Sequence, residues 1–112
     1  MLLDSYQERT MALINIDTAI KRVLQTVAKI EPPRGVEMLT YKRNRGISVI
    51  RLGEDSFLVR EHGYEEQEVQ VCFADLARLL KSMANREFPR SRQVRIYQLD
   101  GPESRGQERK KI

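Results

Sequence analysis

At 112 residues, 40% hydrophobic and 32% charged, the chain has the makeup of one folded domain with one modest core, unlike collagen-like or disordered sequences. A single cysteine and a single histidine exclude an intramolecular disulfide and leave a transition metal without its usual ligands, so no metal and no other cofactor is expected. That cysteine usage fits a reducing, cytoplasmic setting, and no apolar run approaches the roughly 18 residues of a membrane-spanning helix. No membrane partner is expected.

The net charge of +4 is spread unevenly. Residues 32–52 carry five basic groups and one acidic, residues 53–75 one basic and seven acidic, and residues 76–99 six basic and one acidic. Blocks of this kind suit a polyanionic partner, and equally a second copy of the chain whose acidic block meets the basic ones.

In chain order, Ile16, Ala19, Ile20, Val23, Leu24, Val27 and Ile30 recur at steps of three and four, which predicts a helix with one buried stripe. Asp17 is its candidate N-cap. Glu31–Pro32–Pro33 ends it, because proline lacks the amide donor and pushes its predecessor out of the α region. Residues 5–15 are read as a backward extension of this helix, with a short strand around Met11–Ile14 as the alternative.

Four strands follow, punctuated by turn compositions at Asn44–Gly46, Gly53–Ser56 and Gly63–Glu65, which predicts an antiparallel meander. Tight closure on those turns sets Leu39 opposite Ile50, Ile50 opposite Val59, Leu52 opposite Phe57, Val59 opposite Val69, and Phe57 opposite Val71. These two apolar rows are the expected core. Phe73, Leu76, Ala77, Leu80, Met83 and Ala84 then mark a second helix ending near Phe88–Pro89. Gln93–Leu99 alternates and is expected as a short strand at the sheet edge. The fold class is thus α+β: an N-terminal helix, a four-stranded antiparallel meander, a second helix packed on the sheet and a short C-terminal strand. Residues 1–99 form one domain, and 100–112 form a basic tail with no apolar content to bury, expected to be disordered.

The same registers direct Met38, Ile47, Val49 and Leu58 to the other face, among Lys42, Arg51 and Arg60. An apolar platform mixed with guanidinium groups is what sheet-based nucleic-acid binders offer to bases and phosphates. It also suits a protein interface. The expected nucleic-acid contacts are Lys42, Arg43, Arg45, Arg51, Arg60, Arg92 and Arg95, with Tyr41 and Tyr97 as stacking aromatics. Met38, Ile47, Val49 and Leu58 are the expected interface residues. In topology, a meander followed by a helix over residues 36–86 resembles the single-stranded-DNA-binding transcriptional coactivators, which implies nucleic-acid binding. None of that family's diagnostic motifs is present.

Enzymatic chemistry finds little support. Cys72 and His62 fall at opposite ends of a hairpin, too far apart for a nucleophile and its base. His62 beside Glu61, Glu65 and Glu66 reads as a charged loop, and no glycine-rich phosphate cradle is present. The function expected is a non-enzymatic binding module without an evident small-molecule substrate. It binds nucleic acid or, alternatively, forms a homodimer as an interaction or accessory protein.

Overall fold

A computed structural model describes residues 13–40, 44–88 and 93–100. The elements are β1 (Ile14–Asn15), α1 (Ile16–Val27), β2 (Gly35–Leu39), β3 (Gly46–Gly53), β4 (Ser56–His62), β5 (Gln67–Val71), α2 (Phe73–Glu87) and β6 (Gln93–Leu99). The class is α+β as expected, with an antiparallel sheet of six strands in the order β1-β6-β2-β3-β4-β5. The meander β2 to β5 is present. The final strand does not sit at an edge: β6 is inserted between β1 and β2.

The first helix begins at Ile16, two residues before a start capped by Asp17, and does not extend back through residues 13–15. Ile14–Asn15 pairs with β6 as a short strand, and Asn15, not Asp17, is the N-cap, its Oδ1 accepting the amide of Asp17 at 2.8 Å. Asp17 lies in the first turn, where its charge complements the helix dipole. Residues 1–12 and 101–112, on which the rest of the backward extension and the tail expectation fall, lie outside the described residues.

Both helices lie on one face of the sheet. Ile16, Ala19, Ile20, Val23 and Val27 of α1 and Leu76, Leu80, Met83 and Ala84 of α2 form one cluster with Val36, Met38, Ile47, Val49, Phe57, Val59 and Val94. Each is at most 5% exposed. Met38, Ile47 and Val49, expected on a docking face, are therefore core residues.

The reason is a single β-bulge. Gly53 pairs with Ser56 at the hairpin, as the tight turn requires, but beyond Leu52 the ladder has slipped by one, so that Arg51 pairs with Phe57 and Ile50 with Leu58. Because side chains alternate with a period of two, one extra residue exchanges the two faces of β3, and of β2 paired to it, relative to β4 and β5. Pairing of β4 with β5 is as expected, Val59 opposite Val69 and Phe57 opposite Val71. Leu52, displaced by the bulge, is 39% exposed instead of buried.

The second face is also largely shielded. Leu39 and Ile50 are fully buried, and Tyr97 and Leu99 are 1% exposed, although the buried stripes of α1 and α2 both serve the first face. Across this second face runs an unbroken polar row, Tyr97–Glu37–Ser48–Arg60–Glu68, each residue directly opposite the next on the neighbouring strand.

Candidate functional site

Arg45, Arg51 and Arg60, expected to meet phosphate, are committed within the chain. Arg51 reaches from β3 under the end of α1: its Nη1 donates to the carbonyls of Val27, Ala28 and Ile30 at 3.1–3.4 Å. Its Nε donates to Gly53 O at 2.9 Å and its Nη2 to Glu54 O at 2.7 Å. The guanidinium also stands 5.6 Å from the centroid of the Phe57 ring. A helix C-terminus exposes unpaired carbonyls and negative potential, and α1 has no basic residue in its last turn. Arg51 supplies that cation from the sheet.

Arg60 occupies the polar row, its Nε 2.7 Å from Glu68 Oε2 with a side chain only 19% exposed. Glu37, deep in the same row, accepts from Ser48 Oγ at 3.2 Å. Arg45 donates from Nη1 to the Glu87 carbonyl at 3.2 Å. Arg95, opposite Leu39, is half-buried on the second face. Tyr97 is buried and offers no ring for stacking. Leu58 lies on the second face with Arg60, opposite Ile50. The expected platform is thus divided between the two sides of the sheet. Tyr41, Lys42, Arg43 and Arg92 lie outside the described residues.

A second polar assembly ties the end of α2 to the β4–β5 turn. Glu61 on β4 is fully buried and receives both Nε and Nη2 of Arg86, at 2.7 and 2.8 Å. Gln67 Nε2 adds a third bond at 2.7 Å. The Arg86 bonds hold the Glu61 carboxyl down at a pKa of about 2 against the opposing push of burial, and in return Glu61 raises that of Arg86. Glu87, next along α2, is also buried and accepts the amides of Tyr64 and Glu65 at 2.8 and 3.0 Å. Burial and the neighbouring Glu61 carboxyl push its pKa up. Gly63 makes the close approach possible: its φ is +140°, and a Cβ there would lie 2.6 Å from Glu87 Oε1. His62 is paired with Glu66, Nδ1 to Oε2 at 2.7 Å.

Lys21, Arg22 and Lys29 are exposed on and just beyond α1, Lys81 is exposed on α2, and none pairs with a carboxylate among the described residues. Lys81 lines a groove of about 230 Å³ between the helices with Ile16, Asp17, Ile20 and Asn85. Lys21 lies one turn along from Asp17. The other cations of this layer, Arg78 and Arg86, are paired with Asp75 and Glu61. Helical periodicity already places Lys21, Arg22 and Lys29 off the buried stripe, which was the signal in the sequence for this surface.

No family model, no curated protein and no solved structure matches this chain. Among the described residues, no helix is long and apolar enough to cross a membrane.

Proposed function

We propose that this chain is a non-enzymatic nucleic-acid-binding module that grips backbone phosphates through its helical layer. The observation that carries the reading is the contrast in cation use: Arg51 and Arg60 are held by partners of their own chain, whereas Lys21, Arg22, Lys29 and Lys81 are exposed and unpaired among the described residues. Unpaired cations on one layer raise the local potential and release condensed counterions when they meet a polyanion. Among the described residues the exposed aromatics are poorly placed for base stacking: Tyr64, 68% exposed, is followed by Glu65 and Glu66, and Phe73, 40% exposed, packs its ring 5.8 Å from that of Phe57. Contact with phosphate in preference to bases follows, with duplex bound at least as well as single strands.

Titration of fluorescent duplex and single-stranded oligonucleotides across salt tests this. Four phosphate contacts on duplex correspond to a log–log salt slope of roughly −3 to −4. The Lys21→Gln/Arg22→Gln pair is expected to remove about two units of that slope, with little change in stability because both side chains are exposed. Absence of binding at low salt overturns the reading. An unchanged slope in this variant, with loss of binding in Lys42→Gln/Arg43→Gln, moves the contact to the hairpin tip and overturns the assignment to the helical layer.

A further inference from the structure

The two borders of the sheet are built differently. β1 closes one border with two residues, while β5 closes the other with five and has no strand on its outer side among the described residues. An edge strand presents backbone donors and acceptors outward and is a template for another strand. On the helix side of β5, Val69 and Val71 are only partly buried, as is the adjacent Leu79 of α2. Val71 and Leu79 line a groove of about 390 Å³ with Asp75, Arg78 and Ser82.

From this edge we infer that β5 is the seam of a homodimer, the two six-stranded sheets joining antiparallel into one. The occupant is a second copy because the edge is complementary to itself. A two-fold axis centred on Val69 places Val69 against its own counterpart, Gln67 against Val71 and Glu68 against Gln70, so no like charges face each other. The two ends of the strand differ in charge: acidic groups alone precede it, whereas its far end carries Arg78 beside Asp75. Exposed Glu65 and Glu66 precede β5, and Arg78, with a side chain 82% exposed, lies beside its C-terminal residue Val71. Antiparallel pairing carries Arg78 of each copy toward the acidic turn of the other. The Arg78–Asp75 pair at 3.0 Å is solvent-exposed and contributes little by itself, so it does not hold Arg78 back. Five strand residues alone make a small contact, and the flanking grooves extend it toward the size of a specific interface.

Because the two-fold stands perpendicular to the joined sheet, both helical layers face the same side. The dimer therefore presents the cations of α1 and α2 twice. The inference does not rest on the nucleic-acid reading, and its test uses no oligonucleotide.

Sedimentation of the full chain over a wide concentration range is expected to show a monomer–dimer equilibrium that weakens with salt. Val69→Lys, which opposes two ammonium groups at the axis, is expected to give monomer only, with an unchanged circular dichroism spectrum. Arg78→Glu is expected to weaken the dimer at least tenfold, and adding Glu65→Lys to restore it, which keeps the test decisive if Val69→Lys fails to fold. In a Cys72→Ser background, Val69→Cys is expected to cross-link under mild oxidation, while Gln67→Cys, which faces Val71, does not. A monomer at every concentration overturns the inference, as does equal cross-linking at the two positions or no rescue by the charge exchange.

Discussion

Each helix ends near a charged side chain from the sheet, and the two fastenings work by different physics. At the end of α1, Arg51 meets, among the described residues, carbonyl dipoles and the face of Phe57. At the end of α2, Glu61 meets a full opposite charge, Arg86, with the carboxyl of Glu87 close enough to shift its titration. The first fastening contains no carboxyl, and the second contains two that shift in opposite directions. Arg51 is thus engaged by dipoles and Arg86 by a buried carboxylate, and only the latter makes the fold sensitive to pH.

Removing Glu61 is expected to have the largest effect. Glu61→Ala leaves Arg86, 31% exposed, without its partner and empties a buried site, which should cost about 3 kcal/mol in urea unfolding at pH 7. The sign of its pH dependence is fixed by the lowered pKa: the contribution of Glu61 is complete above the ordinary value of 4.5 and is lost as pH falls toward about 2. The difference between wild type and variant should shrink across that window; a constant difference would contradict the ion-pair account. Arg51→Ala comes next, at about 2 kcal/mol for several charge-assisted bonds that exchange with water. Lysine should restore only part, since one ammonium cannot reach carbonyls on both sides. Unlike the Glu61 effect, this one should be the same at pH 4 and pH 8.

Gly63→Ala combines a positive φ with a clash at Glu87 Oε1, and is expected to cost about 1–2 kcal/mol. It sharpens the comparison because it disturbs only the α2 end. Glu87→Gln, whose amide nitrogen cannot accept the second of the two backbone N–H groups, is expected to be the mildest at pH 7, at about 1 kcal/mol. With its pKa raised, Glu87 contributes stability that is fully present below 4.5 and is lost as pH rises through its folded value. The amide should flatten the decline in stability expected of the wild type above pH 4.5. Urea midpoints from pH 3 to pH 8 measure this, and a wild-type profile without that decline refutes the raised pKa.

Much of the architecture was legible before the structure. The stripe from Ile16 to Val27, the second helix ending at Glu87, the span Gln93–Leu99 and the pairing of β4 with β5 follow from periodicity and turn chemistry. The expected sheet-face site did not survive, and one place explains most of the failure. Val49 and Ile50 are consecutive apolar residues, so alternation could not say which faced the helices, and the bulge at Leu52 reversed the answer derived from the turn. Ser48 and Glu37 lie on the second face, but Arg51, the other polar residue of β3, lies on the first, so polarity did not separate the faces, and isolated Gly53 marked the place where a ladder slips. The sequence also left the arginines of the sheet looking available, since Arg51 finds its carbonyls 21–24 residues back along the chain.

By itself, then, the sequence determined the number and kind of most elements, the segregation of charge along the chain and the cationic outer side of α1, because these depend on neighbours within a turn or two. Only the tertiary structure decided where β6 enters the sheet, which face the helices cover and which arginines are already engaged. Those outcomes depend on contacts between distant segments, and a one-residue shift in a single ladder is enough to reverse them.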